Sequence, residues 1–257
     1  MGSSALFTAV SGAAAQQVRI DVISNNLANL GTVGFKGFRA QFEDLLYETV
    51  RPPAADGGSP TGLQFGRGAR IVSTEKVQTA GSIRTTEQPL DLAIDGRGYF
   101  SVQQLNGDTA YTRNGTFKIN STGNLVNAAG LSLVPSITIP PDATQIQITQ
   151  DGQVSVRQPG SATLTQVGQI QLFTFPNEAG LTSLGGNLVA ESDASGAPTS
   201  GTPGTDAFGQ ILQGALEEAN VNIAEELVNL ILAQRAFEAN TRVISASDDL
   251  LRFVTQR

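Results

Sequence analysis

The feature that most constrains this chain is a seven-residue repeat of apolar side chains at each end. Ile223, Leu230, Phe237, Ile244 and Leu251 follow one another at an unbroken seven-residue interval. A row of that period marks one face of a long helix. Leu227 and Ile231 widen the stripe, while Gln234, Thr241 and Asp248 make the other row polar. The spacing predicts a helix over 220–254, about 50 Å long at ~1.5 Å per residue. Asn222 is placed to cap it, with Glu225 three residues on as in a capping box. Glu225 and Glu226 lie where the helix dipole favours anions. At the other end Leu6, Ala13, Ile20 and Leu27 keep the same interval, and Ala9, Ile23 and Leu30 interleave with Gln16 as the polar member. This predicts a helix over Ser4–Leu30, weakened at Gly12 and stopped by Gly31 and Gly34.

Between the helices the period changes to two. Short apolar-alternating runs at Leu90–Ile94, Tyr99–Val102, Ala110–Thr112, Thr116–Ile119, Ile137–Ile139, Gln145–Thr149, Val154–Val156 and Gly168–Phe175 are expected as strands. Asp95-Gly96, Asn106-Gly107, Asn114-Gly115, Thr122-Gly123 and Asp151-Gly152 mark turns between them. The pattern implies an antiparallel β domain and leaves sandwich and barrel both open. Two stretches rich in Pro, Gly, Ser or Thr, Arg51–Gly68 and Ser192–Gly209, are longer than ordinary connections. Each separates a terminal helix from the β domain.

The expected fold class is therefore α+β. The N- and C-terminal helices pair as a coiled-coil-like layer, with a central antiparallel β-rich domain and an extended intermediate region. The expected parts are an N-terminal helix over 1–30, an intermediate region over 31–75 and a β-rich outer domain over 76–191. A returning linker over 192–218 and a C-terminal helix over 219–257 complete the chain.

Those helices pose a burial problem. Five large side chains in one row are worth on the order of 10 kcal/mol when covered, before entropy is charged. An acidic soluble chain does not leave such a row in water. The helices can fold back on the β domain, pair with each other, or pair with neighbouring molecules. Contacts of the last kind that run head-to-tail without closing give a helical filament.

Composition removes most chemistry. The 257 residues contain no Cys and no His. Thiol nucleophiles, disulfides, Cys/His zinc sites and a Ser-His-Asp triad are impossible within the chain. A net charge of -7 opposes binding to a phosphate backbone. With no Trp and three Tyr, stacking platforms for bases are thin. No apolar run is long enough to span a membrane, and the start lacks the pattern of a cleaved signal peptide. Gly66-Arg67-Gly68 and Gly96-Arg97-Gly98 fall short of a phosphate-binding loop. The carboxylate pairs Asp91/Asp95, Glu217/Glu218, Glu225/Glu226 and Asp248/Asp249 read as solvated faces, and no calcium loop is present. No residue is assigned a catalytic, cofactor-binding or metal-ligating role.

The most specific motif begins at Ile23. Ile23-Ser24-Asn25-Asn26-Leu27-Ala28-Asn29, followed by Thr32, Gly34, Phe35 and Lys36, closely resembles the N-terminal signature of bacterial flagellar rod and hook proteins. Asn is a poor helix former; physically, such side chains are suited to capping the last carbonyls of the helix. Further resemblances follow along the chain. They include Phe42-Glu43-Asp44-Leu45-Leu46-Tyr47 and Pro89-Leu90-Asp91-Leu92-Ala93-Ile94-Asp95-Gly96-Arg97-Gly98-Tyr99-Phe100. Tyr111-Thr112-Arg113-Asn114-Gly115 and Phe117, then Gly123-Asn124-Leu125-Val126, continue the pattern. So do Asn220-Val221-Asn222, Glu225-Glu226-Leu227-Val228 and Gln234-Arg235-Ala236-Phe237-Glu238. The opening Gly2-Ser3-Ser4 departs from the usual start of the family.

The resemblance implies a structural subunit of the flagellar axial tube that is not an enzyme and needs no cofactor. Within the family, Pro60-Thr61-Gly62-Leu63-Gln64-Phe65-Gly66-Arg67-Gly68-Ala69-Arg70 resembles an extra stretch of distal-rod members. By resemblance that stretch packs between subunits and stiffens the rod, through Pro60, Gly62, Leu63, Gln64, Phe65, Gly66 and Gly68. Inter-subunit contact is expected from Leu6, Ala13, Ile20, Ile23 and Leu27, and from Ile223, Leu227, Leu230, Ile231, Phe237, Ile244 and Leu251. Phe42 and Leu46 match the spacing that the export gate recognises in the family; the same spacing also fits a small buried patch. The implied partners are further copies of the chain in a helical homopolymer, proximal rod proteins, the hook protein, the outer-envelope ring proteins around the rod, and the flagellar type III export apparatus. Neither nucleic acid nor a small-molecule substrate is expected. The implied location is the basal-body rod across the periplasm, reached without a cleaved signal peptide. A proximal rod paralogue or hook subunit remains the alternative within the family. Outside it stand a secreted monomeric binding module and a carboxylate hydrolase.

Overall fold

The computed structural model describes residues 2–52, 61–160, 163–205 and 207–255. Two long helices, α1 (Gly2–Ala28) and α2 (Ile223–Thr255), flank a β-rich middle. The chain divides into two units. One, the helical unit, holds residues 1–28, 38–76 and 222–257; the other, the β body, holds 29–37 and 77–221.

In the helical unit α1 and α2 run antiparallel. Gly12 lies against Asn240, Arg19 Nη2 donates to Asn229 Oδ1 at 3.4 Å, and Asn26 Nδ2 donates to Glu226 Oε1 at 2.9 Å. Rising numbers on one helix thus meet falling numbers on the other. A Cβ on Gly12 would come within 3.0 Å of the Asn240 amide, so the small residue permits the close approach. α2 starts at Ile223, three residues later than expected from 220, and Asn222 Oδ1 accepts the Ala224 N–H at 3.0 Å as an N-cap.

The face of α2 turned inward is narrower than its apolar stripe. Leu230, Phe237 and Ile244 are half-buried, and the row between them is Glu226, Ala233, Asn240 and Ser247. Gln234, Thr241 and Asp248, expected as that second row, are exposed. Steps of three and four from Leu230 give 233, 237, 240 and 244, the rows that meet one antiparallel neighbour. Ile223, Leu227, Ile231 and Leu251 lie beside this seam and are exposed. On α1, Ala9, Ala13 and Ile23 are buried, and Leu6, Ile20 and Leu27 half-buried.

The same unit carries a β ribbon within the expected intermediate region, and its β3 lies in the stretch 51–68 read as loop-like. β1 (Phe38–Asp44), β2 (Glu48–Arg51), β3 (Leu63–Phe65) and β4 (Ala69–Lys76) pair as β1 with β4 and β2 with β3, both antiparallel. The register runs from Phe38 opposite Lys76 to Asp44 opposite Ala69, with a bulge at Gln41/Phe42. Gly68 sits on α1: a Cβ there would fall 2.0 Å from Ser11 Oγ.

The β body contains β5 (Ile83–Thr85), β6 (Leu92–Asp95), β7 (Phe100–Gln103), β8 (Thr109–Thr112), β9 (Lys118–Ile119), β10 (Leu125–Val126), β11 (Ser132–Val134), β12 (Gln145–Ile148), β13 (Gln153–Arg157), β14 (Thr165–Gln169), β15 (Leu172–Thr174), β16 (Thr182–Gly185), β17 (Leu188–Ala190), β18 (Thr199–Gly201), β19 (Gln210–Gln213) and β20 (Ala215–Glu217). Seven of these form an open antiparallel sheet in the order β16-β17-β8-β7-β11-β10-β9. Three form the sheet β12-β13-β14, and β15-β18, β19-β6 and β20-β5 pair off. The core is built on Leu92, Phe100, Val102, Leu125, Leu133, Ile170, Leu172 and Ile211. Phe117 meets the Phe100 ring edge-on at 5.2 Å.

Two expected strands differ. Ile137 and Ile139 are buried in the core but make only an isolated bridge, Thr138 to Asn124, because Pro135, Pro140 and Pro141 beside them offer no N–H to a ladder. The run Gly168–Phe175 splits into β14 and β15 at Ile170, whose N–H donates to Gly152 O at 2.8 Å. The stretch 192–218, expected as a returning linker, carries β18, β19 and β20, each paired within the body.

Candidate assembly surfaces and the signature

The signature residues serve the two units separately. In the helical unit Asn25 is exposed, Leu27 half-buried and Asn26 buried. Asn26 does not cap α1, as its type suggested. Its Nδ2 donates to Phe38 O at 2.9 Å, and its Oδ1 accepts Phe38 N–H at 2.8 Å. One side-chain amide thus does for Phe38 what a neighbouring strand would do, with donor and acceptor both used. An Asp at this position could not donate.

In the β body the turn after α1 is closed by Thr32, whose N–H donates to Asn29 O at 3.0 Å and whose Oγ1 lies 3.3 Å from Asn29 Oδ1. Gly34 has φ +69, and a Cβ on it would sit 2.6 Å from the Arg113 carbonyl carbon. Both the left-handed backbone and the close approach demand glycine. Its N–H donates to Glu217 O at 2.7 Å, and Phe35 beside it is buried.

Lys36 ends in a buried ion cluster. Its Nζ donates to Glu217 Oε1 at 2.6 Å and to Thr79 O at 2.8 Å. Glu217 is 1% exposed; its Oε1 also accepts Gly81 N–H at 2.9 Å, and its Oε2 accepts Arg113 Nη1 at 3.1 Å. Arg113 donates further to Ile94 O at 3.3 Å and Gly96 O at 2.7 Å, and its guanidinium lies 5.5 Å from the centre of the Tyr99 ring. Burial holds the Lys36 amine below its usual range, opposed by the Glu217 carboxylate. Burial first, and then the nearby Glu178 carboxylate, push the Tyr99 phenol up. The expected solvated pair Glu217/Glu218 is thus half wrong: Glu217 ends β20, and in extended backbone the next residue, Glu218, points to the opposite face. The Glu218 side chain is 45% exposed and pairs with Arg84 at 3.0 Å, while Glu217 turns inward.

The outward surfaces are apolar in two groups. Leu227, Val228, Ile231 and Leu232 are exposed near the start of α2, beside Ile223. Phe7 and Val10 on α1 and Val243 and Leu250 on α2 are exposed near the other end of the antiparallel pair. Gln234, Arg235, Glu238 and Arg242 lie between the groups along α2 and are exposed.

Every residue of β2 and β3 is exposed. Leu63, Gln64 and Phe65 form β3, with Gln64 Nε2 3.2 Å from Thr49 Oγ1; Gly62 precedes the strand, and Gly66 lies under the Tyr47 ring. Pro60 lies outside the described residues. Phe42 is 38% exposed on β1, and Leu46 is 91% exposed. The small buried patch is therefore not formed.

Comparison with known proteins agrees across the chain. Residues 6–36 match the flagella basal body rod protein family. Residues 93–156 match the D1 domain of the flagellar hook proteins FlgE/F/G, and 212–257 the C-terminal domain of the flagellar basal body rod FlgEFG proteins. The chain is 45% identical to the flagellar basal-body rod protein FlgG of Buchnera aphidicola and 46% identical to that of Caulobacter vibrioides, covering 98% of this chain and of each relative. FlgF of the same Caulobacter strain is 32% identical over a similar span, so the FlgG likeness is the stronger of the two. The chain belongs to the FlgG family of flagellar basal-body rod proteins.

Proposed function

We propose that the chain is a structural subunit of the distal rod of the bacterial flagellum, polymerising into a stiff hollow shaft that carries torque from motor to hook. The observation that carries the reading is the pair of exposed apolar groups on the terminal helices. α1 and α2 cover each other along a seam in which Leu230, Phe237 and Ile244 alternate with Ala233, Asn240 and Ser247, and they leave Leu227, Val228, Ile231 and Leu232 in water. A patch of that kind marks a protein–protein interface. Two groups at opposite ends of one rod-like pair suit a head-to-tail contact, which does not close and so builds a filament. In the shaft the terminal helices form a coiled-coil-like inner layer around a channel, and the β body faces outward. The ribbon with Gly62, Leu63, Gln64, Phe65, Gly66 and Gly68 lies between subunits and resists their sliding. Its two-sided exposure supports this, since a two-stranded ribbon is marginal alone in water.

The axial partners are the proximal rod and the hook, with the ring proteins of the outer envelope around the shaft. The exposed Phe42 and Leu46 present the spacing offered to the type III export apparatus. The role is structural, not catalytic, and the location is the basal-body rod. The test is polymerisation of the full chain at high concentration, followed by electron microscopy and sedimentation. Wild type is expected to form straight filaments, and an Ile231→Asp, Leu232→Asp double variant to stay dispersed with its circular dichroism unchanged. Filaments from the double variant equal to those of wild type would sink the reading.

A further inference from the structure

The chain passes between the helical unit and the β body at 28/29, 37/38, 76/77 and 221/222. Three of those crossings converge on one side chain. Asn220, just before the last crossing, accepts Gly37 N–H on its Oδ1 at 2.8 Å. Its Nδ2 donates to Val77 O at 2.8 Å, to Thr79 O at 3.0 Å and lies 3.1 Å from Thr79 Oγ1. Its own main-chain N–H donates to Phe35 O at 3.4 Å, and Val77 N–H donates to Gly37 O at 2.8 Å. The amide is used as acceptor and as double donor at once, which among side chains of its length only Asn can do. Glu217, three residues earlier, holds Lys36 and Gly81 on the same two segments.

We infer that Asn220 is a positioning residue: a yoke that ties together the segments through which the chain leaves and re-enters the β body. Separate tethers each flex and twist on their own; three tied at one point leave the body in a fixed common direction. In the assembled shaft, on the proposed function, that removes torsional slack from every subunit. Asn→Asp is the discriminating change. The carboxylate still accepts Gly37 N–H but cannot donate, and it faces the carbonyl oxygens of Val77 and Thr79.

The experiment is hydrogen exchange on the dilute full chain for wild type, Asn220→Ala and Asn220→Asp, with filament bending as a second measurement. Asn220→Ala is expected to raise exchange at Gly37 by about tenfold, the effect of losing one hydrogen bond to a partly buried amide. Exchange at core amides such as Val102 and Leu133 stays unchanged. Asn220→Asp is expected to keep Gly37 protected while the peptide over 77–81 becomes faster. Equal acceleration across the whole body in both variants, or a 77–81 peptide as slow in Asn220→Asp as in wild type, overturns the yoke. Filaments of Asn220→Asp are expected to bend more than those of wild type. Equal bending overturns the stiffness consequence. If wild type itself forms no filament, the proposed function fails while the exchange result still judges the yoke.

Discussion

The β body and the helical unit handle apolar surface in opposite ways. The body encloses Phe100, Leu92, Leu125, Leu133, Ile170 and Leu172 almost completely, and its two buried cations Lys36 and Arg113 share the one buried carboxylate of Glu217 by direct contact. The helical unit meets along Ala9, Gly12, Ala13, Ala233 and Asn240, and leaves larger side chains such as Phe7, Ile231 and Leu232 exposed. The body is finished as a single molecule. The helical unit leaves an apolar face exposed, and on the proposed function that face is where subunits meet.

That contrast can be broken most strongly from inside the body. Phe100→Ala removes a fully buried ring from an edge-on pair with Phe117 and should cost about 3–5 kcal/mol. Thermal unfolding of the dilute chain measures this, and a loss below 1 kcal/mol would mean that the body is not the stable part. Glu217→Gln leaves Lys36 and Arg113 buried without their counter-charge. We expect a loss of about 3 kcal/mol, whereas Glu218→Gln at the next residue, in a largely solvated pair with Arg84, should change stability by less than about 1 kcal/mol. Equal effects would show that the inward and outward assignment of Glu217 and Glu218 is wrong.

Alkaline titration sharpens the comparison further. The folded Lys36 amine releases its proton below 10.5, so between its lowered value and 10.5 the unfolded chain binds more protons and stability rises with pH. The folded Tyr99 phenol keeps its proton above 10.0, so beyond that point the unfolded chain binds fewer and stability falls. Denaturation midpoints measured across this range should show a shallower rising arm in Lys36→Met, where Lys76 still contributes, and a shallower falling arm in Tyr99→Phe, where Tyr111 still contributes. The smallest effect is expected on the helical unit: Leu232→Ser should leave the stability of the dilute chain within about 0.5 kcal/mol. Yet it should lower polymer yield, because its side chain touches water until a neighbour arrives.

The helices were legible because their period is long and sustained, and the strands around the core because burial on one face enforces alternation. The faces of α2 were less so: Leu227 and Ile231 widen an apolar stripe, and no rule of spacing says which part meets α1. The ribbon β1–β4 escaped because most of its residues are exposed on both sides, which erases the alternation that reveals a strand. Asn26, Glu217 and Asn220 are single polar residues whose partners lie far away in sequence. An Asn near a helix end reads as a cap and a Glu beside another Glu reads as surface. Only the Asn25-Asn26 pair carried a warning, since two poor helix formers inside a helix ask for a reason.

The hydrogen bond between Asn220 and Val77 has a wider consequence. The long excursion over 78–219 departs and returns at one spot, as a drawer slides from a single slot in a cabinet. Whatever is stored in such a drawer can grow, shrink or be exchanged for other contents, and the frame that receives it need not be recut.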